Sequence, residues 1–213
     1  MNKTLDRCDL LITGGQVIDG TGCPAITADV AVQGDRIIAV GDLTVEKADA
    51  VIDAQGKVIT PGFIDVHTHD DRLLLANPEV TPKLSQGVTT VVVGNCGVSL
   101  SPWLSDRAPP PPLDLVFPDG KNGAHFSTFE SYSTELARRP AAINALPLIG
   151  HSTLRCGAMD RLDRPATQAE IEQMRTLLRE SLAAGAGGFS TGLFYSPNKA
   201  APAAEVEALA REL

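Results

Sequence analysis

Two of the chain's four histidines, His67 and His69, stand one residue apart in "GFIDVHTHDD", Gly62 to Asp71, behind a short apolar stretch. In an extended strand, side chains two apart emerge on the same face. A strand over Phe63 to His67 therefore presents two imidazoles side by side at its C-terminal end, as a strand does when it offers nitrogen ligands to one cation. A thiol stands at the end of the next apolar run, "GVTTVVVGNC", at Cys96. An arbitrary H-x-H pair is more often two surface histidines, and a free cysteine is commonly a small buried side chain. Here Asn95 and Gly97 flank the thiol and point to a tight strand-end turn, which favours ligation. Two imidazoles and a thiolate make a zinc donor set. Zinc with an open position lowers the pKa of water to around 7, which is hydrolytic chemistry at neutral pH.

Other polar groups collect where further strands finish. His151, in "GHSTLR", either contacts a substrate or bonds backbone carbonyls beneath the site. Tyr195, in "STGLFYSP", has a phenol that can donate to a developing oxyanion, against the alternative that it only packs. Both are taken as substrate-binding candidates. Asp65 shares the strand face of the histidines and can support them from below. Asp70 and Asp71 read as a solvated start to the following helix rather than as partners of the ligands. His125 reads as a surface residue.

The elements that must position these groups fall into two regimes. Residues 1–61 carry short β-branched segments punctuated by glycine, with turn pairs at Gly34-Asp35 and Gln55-Gly56. They form a small antiparallel β module, which ends at the Pro61-Gly62 break. From Gly62 the rhythm becomes strand, then helix: "GFIDVHTH", "GVTTVVVGNC", "AAINALPLIGHS" and "GGFSTG" are the strands. Capping boxes at Ser127/Glu130 and Thr167/Glu170 open two of the helices, and Gly185 stops the second. Alternating strands and helices mean a parallel α/β sheet or a (β/α)8 barrel. A barrel runs to about 250 residues and carries its active site at the C-terminal ends of its strands. Residues 62–213 therefore read as its first four β/α units.

Composition excludes several classes. The 213 residues are 43% hydrophobic, 21% charged and only 4% aromatic, so the core is aliphatic. Eighteen basic against twenty-six acidic residues give a net charge of −8, which argues against a nucleic-acid partner. No apolar run approaches the roughly 18 residues of a membrane helix, and the first residues lack a signal-peptide core. Four scattered cysteines without C-x-x-C spacing fit a reducing cytoplasm.

"PGFIDVHTHDD" after a β module resembles the first barrel strand of the amidohydrolase superfamily. "GVTTVVVGNCGVS", "GHSTLR" and "GFSTGLFYSP" then resemble the N-acyl-D-amino-acid deacylases, over nearly the whole chain. The resemblance implies a metal-dependent hydrolase that cleaves the N-acyl amide of a D-amino acid. It carries one or two zinc ions, with His67, His69 and Cys96 serving the metal. Strand four, "GGFSTG", has no lysine to bridge two metals, which fits Cys96 in that role and disfavours the hydantoinase and dihydroorotase branches. The same pattern puts further histidine ligands, the catalytic aspartate and the second half of the β module beyond Leu213. The expectation is an N-terminal portion that is inactive and self-associating by itself. The alternatives are a non-catalytic remnant and an amidohydrolase of another specificity, such as a D-dipeptidase.

Overall fold

A computed structural model describes residues 3–117 and 125–213. The chain divides into two compact units, Met1–Gly62 and Phe63–Leu213.

The first unit is one sheet of five strands, β1 (Lys3–Val17), β2 (Ile26–Gln33), β3 (Arg36–Gly41), β4 (Leu43–Asp53) and β5 (Val58–Ile59). Its order is β3-β2-β1-β4, with β5 also on β1. Gly34 sits at φ 59° in the hairpin between β2 and β3, a left-handed position that glycine takes without steric cost. The sheet is mixed rather than antiparallel, because β4 and β5 both run parallel to β1. Gln55-Gly56 is accordingly no hairpin turn. The Lys57 N–H bonds the Ala54 carbonyl at 2.9 Å, a kink after which the chain rejoins the same edge of β1. Cys8, Ala31 and Ala39 form the buried core of the unit.

The second unit opens with β6 (Phe63–Asp65), the short helices α1 (Leu73–Ala76) and α2 (Thr81–Leu84), and β7 (Val88–Val93). Then come α3 (Phe129–Arg138), β8 (Asn144–Pro147), β9 (Ile149–Gly150), α4 (His151–Ala158), α5 (Gln168–Ala183), β10 (Phe189–Ser190) and α6 (Ala203–Ala210). β6, β7 and β8 bond in parallel in chain order, and β9 bonds β10 in parallel. The third strand segment is thus split at Leu148, whose N–H reaches the Val93 carbonyl at 2.9 Å, while the Ile149 N–H reaches Gly188 at 2.9 Å. One segment turns from β7 on one side to β10 on the other. Val91 and Val93, on one face of β7, are fully buried, while Val92 on the other face is half-buried.

Local signals locate the helices closely. Thr167 and Glu170 form a reciprocal capping box on α5, and Gly185 follows its end at φ 100°. At α3 the cap is Thr128, whose hydroxyl accepts from the Ser131 N–H at 3.1 Å, one residue later than the expected Ser127 box. Met174 and Leu178, one turn apart on α5, are fully buried in a core with Ile149, Leu154 and Leu209.

Candidate metal centre

β6 ends at Asp65, two residues short of His67. The Asp65 carboxylate accepts from the His67 N–H at 3.3 Å, an Asx-type turn that ends the strand. The following backbone stays attached to β7 because the Thr68 N–H and hydroxyl both donate to the Val92 carbonyl, each at 3.1 Å. The Asn95 side-chain amide donates to the carbonyls of Thr68 (3.3 Å) and Val92 (2.9 Å). The H-x-H segment and the end of β7 are therefore stitched together by side chains that stand between the candidate ligands in sequence.

Cys96 sits on a turn with Gly94 at φ 76°, Cys96 itself at φ 56° and Gly97 at φ 80°. A side chain in the left-handed region costs about 1–2 kcal/mol, a strain the surrounding packing must offset. A Cβ on Gly94 would lie 2.1 Å from the Leu148 carbonyl oxygen, so only glycine fits there. The turn aims the thiol at the histidines. His67 Nε2 and Cys96 Sγ are 3.0 Å apart, and the two imidazole centroids are 5.8 Å apart. One donor atom from each of His67, His69 and Cys96 lies within 4.8 Å of the others. Donors around a tetrahedral zinc stand roughly 3.3–3.6 Å apart for bonds of roughly 2.0–2.3 Å, so the set suits such an ion. Burial, and then the neighbouring His67, hold His69 below its ordinary pKa, which favours the neutral, ligating imidazole.

Tyr195 comes to the same place, and the neighbouring Cys96 raises its phenol's pKa. Asp65 and Asp70 share Lys83, at 2.7 and 3.3 Å. Asp71 is not solvated as its sequence position suggested. It is 1% exposed, and burial pushes its carboxyl up to about 7.

His151 is not brought to this cluster as a substrate contact. It opens α4 rather than ending a strand, and it is fully buried. Its Nδ1 lies 2.9 Å from Thr191 Oγ1 and its Nε2 3.0 Å from Glu205, so both ring nitrogens are used. Burial holds its pKa below the ordinary value. Arg155 pairs with the same carboxylate. His125 is not a surface residue either, since its ring stacks on Phe117 at 5.2 Å and 13°.

The residues overlooked in sequence are Thr68 and Ser190, which hold the backbone, and Lys83, which holds two carboxylates. Ser190 Oγ accepts from the Gly97 N–H at 2.9 Å and donates to the Gly94 carbonyl. A hydroxyl among the small residues of "GGFSTG" is its one faint signal.

The amidohydrolase family model matches residues 50–213. The chain is 53% identical over 208 residues to an N-acyl-D-aspartate deacylase of Alcaligenes xylosoxydans xylosoxydans, covering 96% of this chain and 41% of that protein. It is 50% identical to a D-aminoacylase of the same organism, over 96% of this chain and 42% of the relative. It therefore spans about two fifths of the length of these curated relatives. Among solved structures, a D-aminoacylase with a binuclear metal centre superposes with a TM-score of 0.91 at 50% identity, over 97% of this chain and 43% of that one. An N-acyl-D-glutamate deacylase of Bordetella bronchiseptica, complexed with zinc and a phosphonate inhibitor, superposes at 0.87 and 44% identity, over the same shares. With a matched model over most of its length and two histidines and a thiol gathered at consecutive strand ends, the chain belongs to the amidohydrolase family.

Proposed function

We propose that the chain is the N-terminal portion of a zinc-dependent N-acyl-D-amino-acid deacylase, with residues 62–213 as the first four β/α units of a (β/α)8 barrel. The convergence of His67, His69 and Cys96 within 4.8 Å carries the metal reading. The order β6-β7-β8 and β9-β10, parallel throughout, supports the barrel reading. The substrate class rests on the similarity to D-amino-acid deacylases.

His67 and His69 would hold the ion through imidazole nitrogens and Cys96 through its thiolate. When bound, zinc supplies Lewis acidity that polarises an amide carbonyl and acidifies water. Tyr195, beside Cys96, is placed to donate to the acyl oxygen as negative charge develops there. Amide hydrolysis also needs a group that carries a proton to the leaving amine. The nearby carboxylates are otherwise engaged: Asp65 and Asp70 bind Lys83, and Asp71 is buried. The resemblance to the D-amino-acid deacylases implies that an aspartate outside residues 1–213 fills that role.

The test uses the full-length, zinc-loaded protein with N-acetyl-D-aspartate, N-acetyl-D-glutamate, N-acetyl-D-methionine and their L-isomers, reading released amino acid. Turnover confined to D-substrates, abolished by a chelator and restored by zinc, is expected. Zinc-independent turnover, or turnover of the L-series alone, would overturn the proposal.

A further inference from the structure

The thiol of Cys96 owes its direction to a backbone turn, and that turn is gripped from a distant strand. Gly94, Cys96 and Gly97 all take left-handed φ values, 76°, 56° and 80°. Such a conformation persists only where the surroundings over-determine it. The Val98 N–H to Asn95 carbonyl bond, 2.9 Å, closes the turn internally. The two ends are held by one hydroxyl. Ser190 Oγ, from β10, receives the Gly97 N–H at 2.9 Å and gives its proton to the Gly94 carbonyl, across 93 and 96 residues of sequence. One donor and one acceptor, three residues apart and flanking a candidate ligand, match what a hydroxyl can satisfy at once.

The clamp is itself anchored. Thr191, next in sequence, meets His151 Nδ1 at 2.9 Å, and His151 Nε2 meets Glu205 at 3.0 Å. Gly192 then passes so close that a Cβ there would lie 2.5 Å from the Cys96 carbonyl oxygen and 2.7 Å from the Tyr195 ring. The chain from Ser190 to Tyr195 thus lies directly against the Cys96 turn, fixed from beneath by a buried histidine.

Resting on the metal-centre reading above, we propose that Ser190 is a positioning residue for Cys96: its hydroxyl clamps both ends of the left-handed turn and so aims the thiol at the ion. Ser190 reaches neither metal nor substrate in this role, and acts through the backbone of Gly94 and Gly97.

In the full-length protein, Ser190→Ala is expected to weaken zinc binding about 10- to 100-fold, the range for partners that orient a ligand. The zinc dissociation constant would be measured by chelator competition. Cobalt substitution supplies the specific readout, because the sulfur-to-cobalt charge-transfer absorption reports the thiolate as a ligand. Ser190→Ala should diminish or shift that band, and Ser190→Thr, which keeps the hydroxyl, should return affinity and band close to the parent's. Parent-like affinity and spectrum in Ser190→Ala would overturn the proposal. So would a folded Ser190→Thr that binds as weakly as Ser190→Ala, and this variant decides the matter if the alanine form does not fold. Cys96→Ser separates the two readings. If it binds zinc as the parent does, the metal centre itself fails; if it loses zinc while Ser190→Ala keeps it, only the Ser190 clamp fails.

Discussion

Two polar clusters lie near strand ends in the second unit, and they differ in what their lone pairs have left to do. At the ends of β6 and β7, His67 and His69 are exposed and Cys96 partly so, with their donor atoms converging within 4.8 Å. After β9, His151, Arg155 and Glu205 are all fully buried, with Glu205 accepting from both of the others. Glu205 also accepts from the Ala166 N–H at 3.1 Å, and Arg155 donates to the carbonyls of Leu162 and Arg164 at 3.2 and 2.8 Å. Burial alone would raise the Glu205 pKa, but His151 and Arg155 hold it below its ordinary value. A histidine at a strand end is thus no evidence of a site by itself. The first cluster has coordinating capacity to spare, and the second has spent nearly all of it on α4, α6 and the segment after β10.

The sharpest way to break this contrast is Glu205→Ala. It leaves a buried arginine without its carboxylate, and removing one partner of a buried pair costs about 3–5 kcal/mol. Denaturant unfolding of the full-length protein measures this. A loss below about 1 kcal/mol would put the cluster on the footing of a surface ion pair, and the closed, structural reading of it would fail.

Next in size is the difference between two cysteines, Cys96 on its turn in the open cluster and Cys156 on α4. Cys96→Ser should cost zinc affinity by more than the roughly 100-fold upper range of an orienting partner. Cys156→Ser, where it folds, should retain full zinc content by elemental analysis. Cys156 is 4% exposed and burial pushes its thiol up to about 11, which suits an apolar core group rather than a thiolate ligand. Equal zinc loss in Cys96→Ser and Cys156→Ser would erase the distinction.

The smallest effect concerns Asp71, the buried carboxyl beside the open cluster. Its folded pKa is raised from 3.8 to about 7. Between those values the folded state holds a proton that the unfolded state has lost. The group's stabilising contribution is therefore full below about pH 4 and disappears as pH rises through about 7. Asp71→Asn removes this dependence. Relative to the parent, metal-free Asp71→Asn should be more stable at pH 8 than at pH 5, by on the order of 2 kcal/mol. Equal differences at the two pH values would show that Asp71 is ionised without penalty in the folded protein.

Much of the local structure is legible in the sequence. Helix α5 announces itself through Thr167, Glu170 and Gly185, because caps and stops are set by residues within one turn of each other. The apolar run of β7 is equally local. The parallel pairing of β4 and β5 with β1 was not legible, since a glycine turn has the same composition whether the chain reverses or resumes its course. The swing of the third strand segment at Leu148, from β7 to β10, depends likewise on partners elsewhere in the chain.

The candidate site divides along the same line. The spacing of His67 and His69, and the placing of Cys96 after an apolar run, are properties of neighbours in sequence, so the sequence by itself determined which side chains could bind a metal. Whether their atoms meet was decided by tertiary structure: by Thr68 and Asn95 on Val92, and by Ser190 across the Cys96 turn. The fate of His151 was also decided there. Its role turns on Glu205, 54 residues away, and on Thr191, 40 residues away. A hydrogen bond is specified by distance and angle between groups that only the fold brings together, and no periodicity in the chain encodes that pairing.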